Sequence, residues 1–341
     1  MNFGNHKIRL LIGILVGVFF AFLAVRKVDF AQMSQAFETA NYWYLLLTLP
    51  ILFFSHFLRA LRWRYLLDPV KRLDTGSLFS SLIIGYMANV LMPAHLGEIL
   101  RAYVLSKKRR IAASSAFATI VMERIIDVFA LLALMVLTIF IYPFPSWVKK
   151  SGYFMFAGTL GLLVFLVLLK KSSSQMQGVL AFFSRPFSQR FQQRIGDVLE
   201  RFVSGIVPLK RRSDYAVVAV LSVLIWVCYG FIFYFCLLAF DFVRTYHLPW
   251  SASLVLLVVT TIGVVIPSSP GYVGTYHYLC QVSLALFDVP AGPALSFATV
   301  VHGVNFLPVL AVGFVLSYFE GMALSRISEK KTFPENVPEV A

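Results

Sequence analysis

Six apolar runs, at residues 8–25, 42–58, 115–141, 152–169, 215–240 and 292–318, constrain this chain more than any other feature of it. Each approaches or exceeds the roughly 20 residues a helix needs to cross a ~30 Å hydrocarbon core. Lipid offers no hydrogen bonds to a backbone, so a crossing segment must satisfy its own N–H and C=O groups, as a helix does. The predicted fold is an all-α polytopic membrane protein. Composition agrees: 59% of residues are hydrophobic and 13% charged, against roughly 25% charged in soluble domains. Lys7 and Arg9 precede the first run, which is long for the apolar core of a signal peptide and reads as an uncleaved span.

Two further regions are apolar but broken. Residues 78–92 stop at Met92-Pro93 and are followed by a short run at 97–106; residues 254–266 stop at Ile266-Pro267 and are followed by 276–287. Each arm is shorter than the roughly 17 residues that span a bilayer. The expectation is about six full spans and two re-entrant broken-helix hairpins, tolerated where protein or water covers the interrupted backbone.

Net charge is +14. In a soluble chain this would point to nucleic acid; here the better reading is Lys and Arg gathered at the cytoplasmic face, and no nucleic-acid partner is expected. With the hairpins returning to their own side, the segments holding Arg59, Arg62, Arg64, Arg101, 107–110 and 210–212 fall on the side of the N-terminus. The positive-inside rule then places both termini in the cytoplasm of an inner or plasma membrane. Residues 172–213, with Phe, Ile, Leu and Val at helical spacing among Arg and Gln, read as an amphipathic segment on that surface. Residues 329–341 read as a disordered cytoplasmic tail.

The two breaks resemble one another. Val90-Leu91-Met92-Pro93-Ala94-His95-Leu96-Gly97 and Val264-Val265-Ile266-Pro267-Ser268-Ser269-Pro270-Gly271 both read three apolar residues, Pro, three residues, Gly. Phe117-Ala118-Thr119-Ile120-Val121 matches Phe297-Ala298-Thr299-Val300-Val301 at nearly the same offset. Each half is therefore span, span, broken hairpin, span, with the halves starting on opposite sides. This predicts an inverted-topology repeat, 1–141 and 142–328, with a substrate site between the halves near the broken-helix ends. A helix beginning near Gly97 or Gly271 is expected to leave amide N–H groups open to an anion.

Ionisable residues inside apolar segments are expensive and direct attention to function. Glu98 and Arg101 follow the first break; Glu123, Arg124 and Asp127 lie in the next run. Glu123 and Asp127, four apart, share a helix face. Two readings stay open. In one, these groups form an internal ion-pair network, Arg101 with Glu98 among them, that locks hairpin to helix. In the other, Arg101 or Arg124 meets an anionic headgroup and the carboxylates balance its charge. Asn89, His95, His277, His302 and Asn305 flank the same region. Cys228, Cys236 and Cys280 have no metal-ligand or CxxC spacing, and no HExxH, GxSxG or Walker pattern occurs, so no catalytic residue, cofactor or metal is expected.

Residues 88–101, with Asn89, Pro93, Gly97, Glu98 and Arg101, resemble the N-x-x-x-P-x-x-x-G-E-x-x-R segment of the flippase-like transmembrane domain of lysylphosphatidylglycerol synthases. Glu123-Arg124-Ile125-Ile126-Asp127 is similar to that family's E-R-x-x-D segment. Residues 267–274, with Pro267, Pro270, Gly271 and Gly274, are similar to its P-x-x-P-G-x-x-G segment. The resemblance implies that these residues line a translocation site, and that His277 stands where many relatives have a carboxylate. The synthases' soluble aminoacyl-transfer domain has no counterpart in this sequence, so the resemblance implies the translocating half alone. The expected cargo is an anionic phospholipid or polyprenyl-phosphate-linked lipid. The alternatives are a lipid-modifying transferase with Glu98, Glu123 or Asp127 as base, and a non-catalytic partner of an envelope-biosynthesis enzyme. A homo-oligomer is compatible with each.

Overall fold

The computed structural model describes residues 15, 17–26, 28–92, 95–142, 144–171, 202, 205, 207–265 and 269–320. Among the described residues the regular structure is all helical, without strands. The helices are α1 (residues 17–25), α2 (Phe30–Thr39), α3 (Trp43–Leu67), α4 (Thr75–Leu91), α5 (Leu96–Arg109), α6 (Ala113–Ile139) and α7 (Ser146–Lys171). After the segment centred on 172–206 come α8 (Arg212–Ala239), α9 (Phe242–Thr245), α10 (Ser251–Val265), a 3₁₀ turn at Pro270–Tyr272, α11 (Thr275–Ala285) and α12 (Ala291–Phe319).

Three of these, α3, α8 and α12, are long and apolar enough to cross a membrane. Their outward faces carry Leu46, Leu47, Phe54 and Phe57 on α3, Val220, Val223, Val227 and Phe231 on α8, and Leu307, Phe314 and Val315 on α12. An apolar surface of this extent suits hydrocarbon and not water. The protein is a helical membrane protein.

Local chemistry explains where the helices stop. Asp74 caps α4 by accepting from the Ser77 amide at 2.7 Å. The helix ends because Met92, which precedes Pro93, is held in extended backbone at φ −117° and ψ 141°. The chain restarts helically through His95 in the left-handed region, φ 54°. Pro93, Ala94 and the second break's Ile266, Pro267 and Ser268 lie outside the described residues.

Side-chain bonds fix which helix ends lie together. The end of α5 returns to the start of α4: Arg109 pairs with Asp74 and bonds Ser77, and Lys71 donates to the Arg109 carbonyl at 3.0 Å. Lys210, just before α8, pairs with Asp68 at the end of α3, 2.9 Å away. Glu320, capping α12, accepts from Ser80 and pairs with Lys108. At the opposite end the Asn41 amide donates to the Ala239 carbonyl at 2.7 Å, Ser296 donates to the Met33 carbonyl at 2.8 Å, and Tyr142 donates to the Leu286 carbonyl at 3.0 Å.

The charge of the two ends differs. The first carries Arg64, Lys71, Arg72, Lys107, Lys108, Arg109, Arg110 and 210–212 (Lys-Arg-Arg) against Asp68, Asp74, Asp214 and Glu320. The second has Arg26, Lys149, Lys150 and Arg244 against Asp29, Glu38, Asp241 and Asp288, an even balance among described residues.

The packing order recurs along the chain. α3 packs on α4, α4 on α5 and α5 on α6; α8 packs on α10, α10 on α11 and α11 on α12. Across these sets α12 packs on α4, α6 on α10, and α3 on α8.

Two boundaries differ from the sequence reading. The run 42–58 is only part of α3, which continues to Leu67, so Arg59 and Arg62 are helical and buried, not loop charges. Their stems lie among the helices, and buried carboxylates neutralise their guanidinium groups. Arg101 is likewise buried within α5. The segment 172–213 overlaps α8 at Arg212 and Ser213, where the Arg211 amide donates to Asp214 at 3.0 Å and so sets the helix start. Most of the rest of that segment, and the tail 329–341, lie outside the described residues.

Candidate functional site

The expected acidic and basic residues meet in one buried cluster with two arginines that the sequence reading left at the surface. α3 supplies Arg59 and Arg62, three residues apart on one face; α5 supplies Glu98 and Arg101; α6 supplies Glu123, Arg124 and Asp127. Arg62, Arg101 and Glu123 are 0% exposed.

Each carboxylate has an arginine partner, though Glu98 keeps one buried oxygen, Oε2, without a hydrogen bond. Glu123 Oε2 accepts from Arg101 Nη2 at 2.8 Å, and its Oε1 accepts from Arg59 Nη1 at 3.2 Å and lies 3.6 Å from Arg62 Nη2. Asp127 accepts from Arg59 at 2.8 Å, Arg62 at 2.5 Å and Arg124 at 3.2 Å. Glu98 Oε1 pairs with Arg124 Nη2 at 2.9 Å. The expected Arg101–Glu98 pairing is not the one formed. Arg101 reaches across to α6, and Glu98 is taken by the half-exposed Arg124. The cause is geometric: i,i+3 neighbours on α5 both project toward α6, where partners of opposite charge stand ready.

Tyrosines and a tryptophan complete the cluster. Arg59 donates to Tyr229 at 2.7 Å and to Tyr86, while Arg62 donates to Ser222 at 3.0 Å. The Arg101 guanidinium lies 3.7 Å from the ring centre of Trp63, whose indole N–H donates to Thr119 at 2.9 Å. A cation over an indole face is well placed electrostatically.

Charge does not balance here. Four arginines, Arg59, Arg62, Arg101 and Arg124, face three carboxylates, Glu98, Glu123 and Asp127. Arg59 has every guanidinium nitrogen engaged. Arg101 leaves buried Nε and Nη1 without partners, and Arg62 leaves Nε. Unspent donors in the interior cost free energy. An anion presented to Arg101 would satisfy its two free donors.

The first break lies beside this cluster, but not as an open helix N-terminus. The Gly97 amide already donates to Asn89 Oδ1 at 2.7 Å and the Glu98 amide to the His95 carbonyl at 3.0 Å. The expected anion-binding amides at Gly97 are therefore used internally, because the Asn89 side chain reaches down from the preceding helix. Gly97 serves close approach instead: a Cβ there would run into the Gly85 carbonyl and the Asn89 side chain. At the second break Gly271 has φ 61° and Gly274 φ 85°. Pro270 opens the 3₁₀ turn, while Pro93 and Pro267 fall outside the described residues.

The two break regions touch. His95 Nδ1 and the Tyr272 hydroxyl are 3.2 Å apart, and α4 packs on the 3₁₀ turn. His302 Nε2 lies 2.7 Å from the Gly271 carbonyl, and its ring centre is 4.9 Å from that of His277. Asn305 does not join the site; its amide donates to Val301 of its own helix at 2.8 Å. His302 and Tyr276 pack with ring centres 5.4 Å apart. They are 178 residues beyond the pair Arg124 and Glu98, so an ion pair in one place is matched by an imidazole–phenol contact in the other.

Arg59, Arg62, Trp63, Tyr86 and Tyr229 were not singled out from the sequence. The available signal was a pair of arginines three residues apart, continuous with an apolar run and followed by a tryptophan, which a helix carries on without a cap.

Comparison with known proteins follows this geometry. The chain is 26% identical to a "UPF0104 membrane protein" of Methanothermobacter thermautotrophicus, over 96% of this chain and 99% of that protein. A second UPF0104 membrane protein, from Methanocaldococcus jannaschii, is 21% identical over 93% of this chain and 96% of its own length. The glycosyltransferase AglD of Haloferax volcanii is 24% identical over 88% of this chain, but the match spans only 53% of that longer protein. No solved structure matches the chain. The family model for the lysylphosphatidylglycerol synthase TM region matches residues 10–313, so the chain belongs to that transmembrane family.

Proposed function

We propose that this protein is a lipid translocase that moves an anionic phospholipid or a polyprenyl-phosphate-linked lipid between leaflets. The observation that carries this reading is the buried Arg101 guanidinium, with Nε and Nη1 unpartnered. The headgroup would meet Arg101 while its acyl chains stay in hydrocarbon, so the charge never faces lipid unpaired.

The repeated packing order supports an inverted-topology repeat. α3 through α6 would form one half and α8 and α10 through α12 the other, with α4–α5 and α10–α11 as re-entrant hairpins. The return of α5 to the start of α4 supports the first hairpin. The Tyr142–Leu286 bond supports the second, entering from the opposite end. The basic end would face the cytoplasm of an inner or plasma membrane, putting Glu320 and the residues after it on that side. In such folds the substrate sits between the halves, and each half rocks against the other.

The test is reconstitution into vesicles carrying a headgroup-labelled anionic lipid, with an outer-leaflet quencher. Translocation should exceed that of empty vesicles, favour the anionic lipid over a zwitterionic one, and fall with Arg101→Lys and further with Arg101→Gln. Lys keeps the charge but loses the planar donor fork. Equal rates for both lipids would overturn the reading.

A relative named as a glycosyltransferase supports a second reading, a lipid-modifying transferase acting on a lipid-linked group. Product formation by purified protein in detergent, where leaflets do not exist, would favour it.

A further inference from the structure

We infer that two contacts, Lys108 with Glu320 and Tyr142 with Leu286, are equivalent latches that gate the two ends of the site. The inference rests on the translocase reading.

The positions carry the argument. Lys108 and Leu286 are 178 residues apart, and so are Tyr142 and Glu320. The same spacing separates the starts of α6 and α12, Ala113 and Ala291. It also separates Arg110 and Asp288, which follow α5 and α11 with left-handed φ of 48° and 59°. Lys108 lies in the last turn of α5 and pairs with the residue that ends α12. Leu286 ends α11 and bonds the residue just past α6. One contact joins the first hairpin to the last helix of the other half. The other joins the second hairpin to the last helix of the first half. The same junction is thus made twice, once at each end of the molecule.

Their chemistry differs in a way that suits direction. At the basic end the latch is an ion pair, reinforced by Ser80 donating to Glu320 at 2.9 Å, with side chains 29% and 19% exposed. An arriving headgroup phosphate can take the Lys108 ammonium from Glu320 and so loosen α5 from α12. At the far end a phenol donates to a backbone carbonyl at 3.0 Å, and the Tyr142 ring packs on Phe287 with centres 5.0 Å apart. That latch is neutral, so an anion competing for the phenol proton gains no opposite charge there. It opens only when the helix ends separate.

Two measurements test this on a parent with Cys228, Cys236 and Cys280 replaced. In the first, Lys108→Cys with Glu320→Cys, or Tyr142→Cys with Leu286→Cys, is bridged by a short bis-maleimide in the vesicle assay. Each bridge should cut translocation by about tenfold or more, because a closed gate stalls the cycle. The same cysteines capped with a monofunctional maleimide should retain transport. A bridged protein moving lipid at the capped rate would overturn the inference. The second measurement does not depend on transport. Spin labels at Lys107→Cys and Tyr318→Cys report the basic end, and labels at Phe140→Cys and Ala285→Cys the other. Raising salt from about 0.05 M to about 1 M should lengthen the first distance distribution and leave the second unchanged, since screening acts on the ion pair alone. Both shifting alike, or neither shifting, would also overturn it. If the parent moves no lipid at all, the translocase reading falls, while the salt experiment still decides whether the two latches differ.

Discussion

Arg101 of α5 is bonded to Glu123 of α6 at 2.8 Å, and its guanidinium covers the ring of Trp63 of α3 at 3.7 Å. One side chain therefore ties three helices together. It also keeps two of its nitrogens unspent. Removing Glu123 should leave Arg59, Arg62 and Arg101 undercompensated, at a cost of about 3–5 kcal/mol. In a thermal-stability cycle in detergent, Arg101→Gln and Glu123→Gln should be strongly non-additive. Arg101→Gln and Glu98→Gln should be close to additive. The reverse pattern would reject the pairing.

Gly97 and Gly271 are required for different reasons, and their variants should fail differently. A side chain at Gly97 meets the backbone of Gly85 and the Asn89 cap, so even Gly97→Ala should lower yield and thermal stability. Gly271 is less crowded, the Val90 carbonyl lying 3.3 Å from where a Cβ would sit, but its φ is 61°. Gly271→Asn should be tolerated better than Gly271→Val, because Asn visits the left-handed region and β-branched residues do not. Matching melting temperatures for the two Gly271 variants would contradict this.

Asp68 predicts a pH dependence outside the spanning segments. Burial alone would raise its carboxyl, but the bond to Lys210 and the charges of Lys210 and Arg72 hold it below the ordinary carboxylate range. A carboxylate depressed in the folded state stabilises above its unfolded value, about 3.9, and loses that contribution as pH falls through the folded one. Asp68→Asn should therefore melt earlier than the wild type at pH 7, with the gap closing below pH of about 4. A gap that persists unchanged at low pH would assign it to packing.

Topology can be read with single cysteines in the cysteine-free parent. Ser34→Cys and Ser146→Cys sit at the weakly charged end and Lys107→Cys at the basic end. An impermeant thiol reagent should label the first two in intact cells and the third only after permeabilisation. Labelling of Lys107→Cys from outside would mean that α4–α5 crosses completely.

Much of the architecture was legible because lipid imposes a one-dimensional rule. Apolar length marked α3, α8 and α12, and Pro93 and Pro267 marked the interruptions, although Pro50 and Pro308 lie inside α3 and α12 without ending them. The matching Pro-x-x-x-Gly breaks also lay open to inspection. Helix ends were less legible. α3 runs nine residues past its apolar run, because a charge ends a hydropathy window but not a helix.

The charged residues show the division most clearly. By itself the sequence determined that the membrane domain holds Glu98, Arg101, Glu123, Arg124 and Asp127, since ionisable groups among apolar ones are visible without coordinates. Only the tertiary structure decided who pairs with whom. It brought Arg59 and Arg62 inward from what looked like a loop, gave Glu123 rather than Glu98 to Arg101, and spent the Gly97 amide on Asn89. The physical reason is range. Helix formation and membrane insertion depend on neighbours within a few turns, whereas an ion pair depends on where separate helices cross.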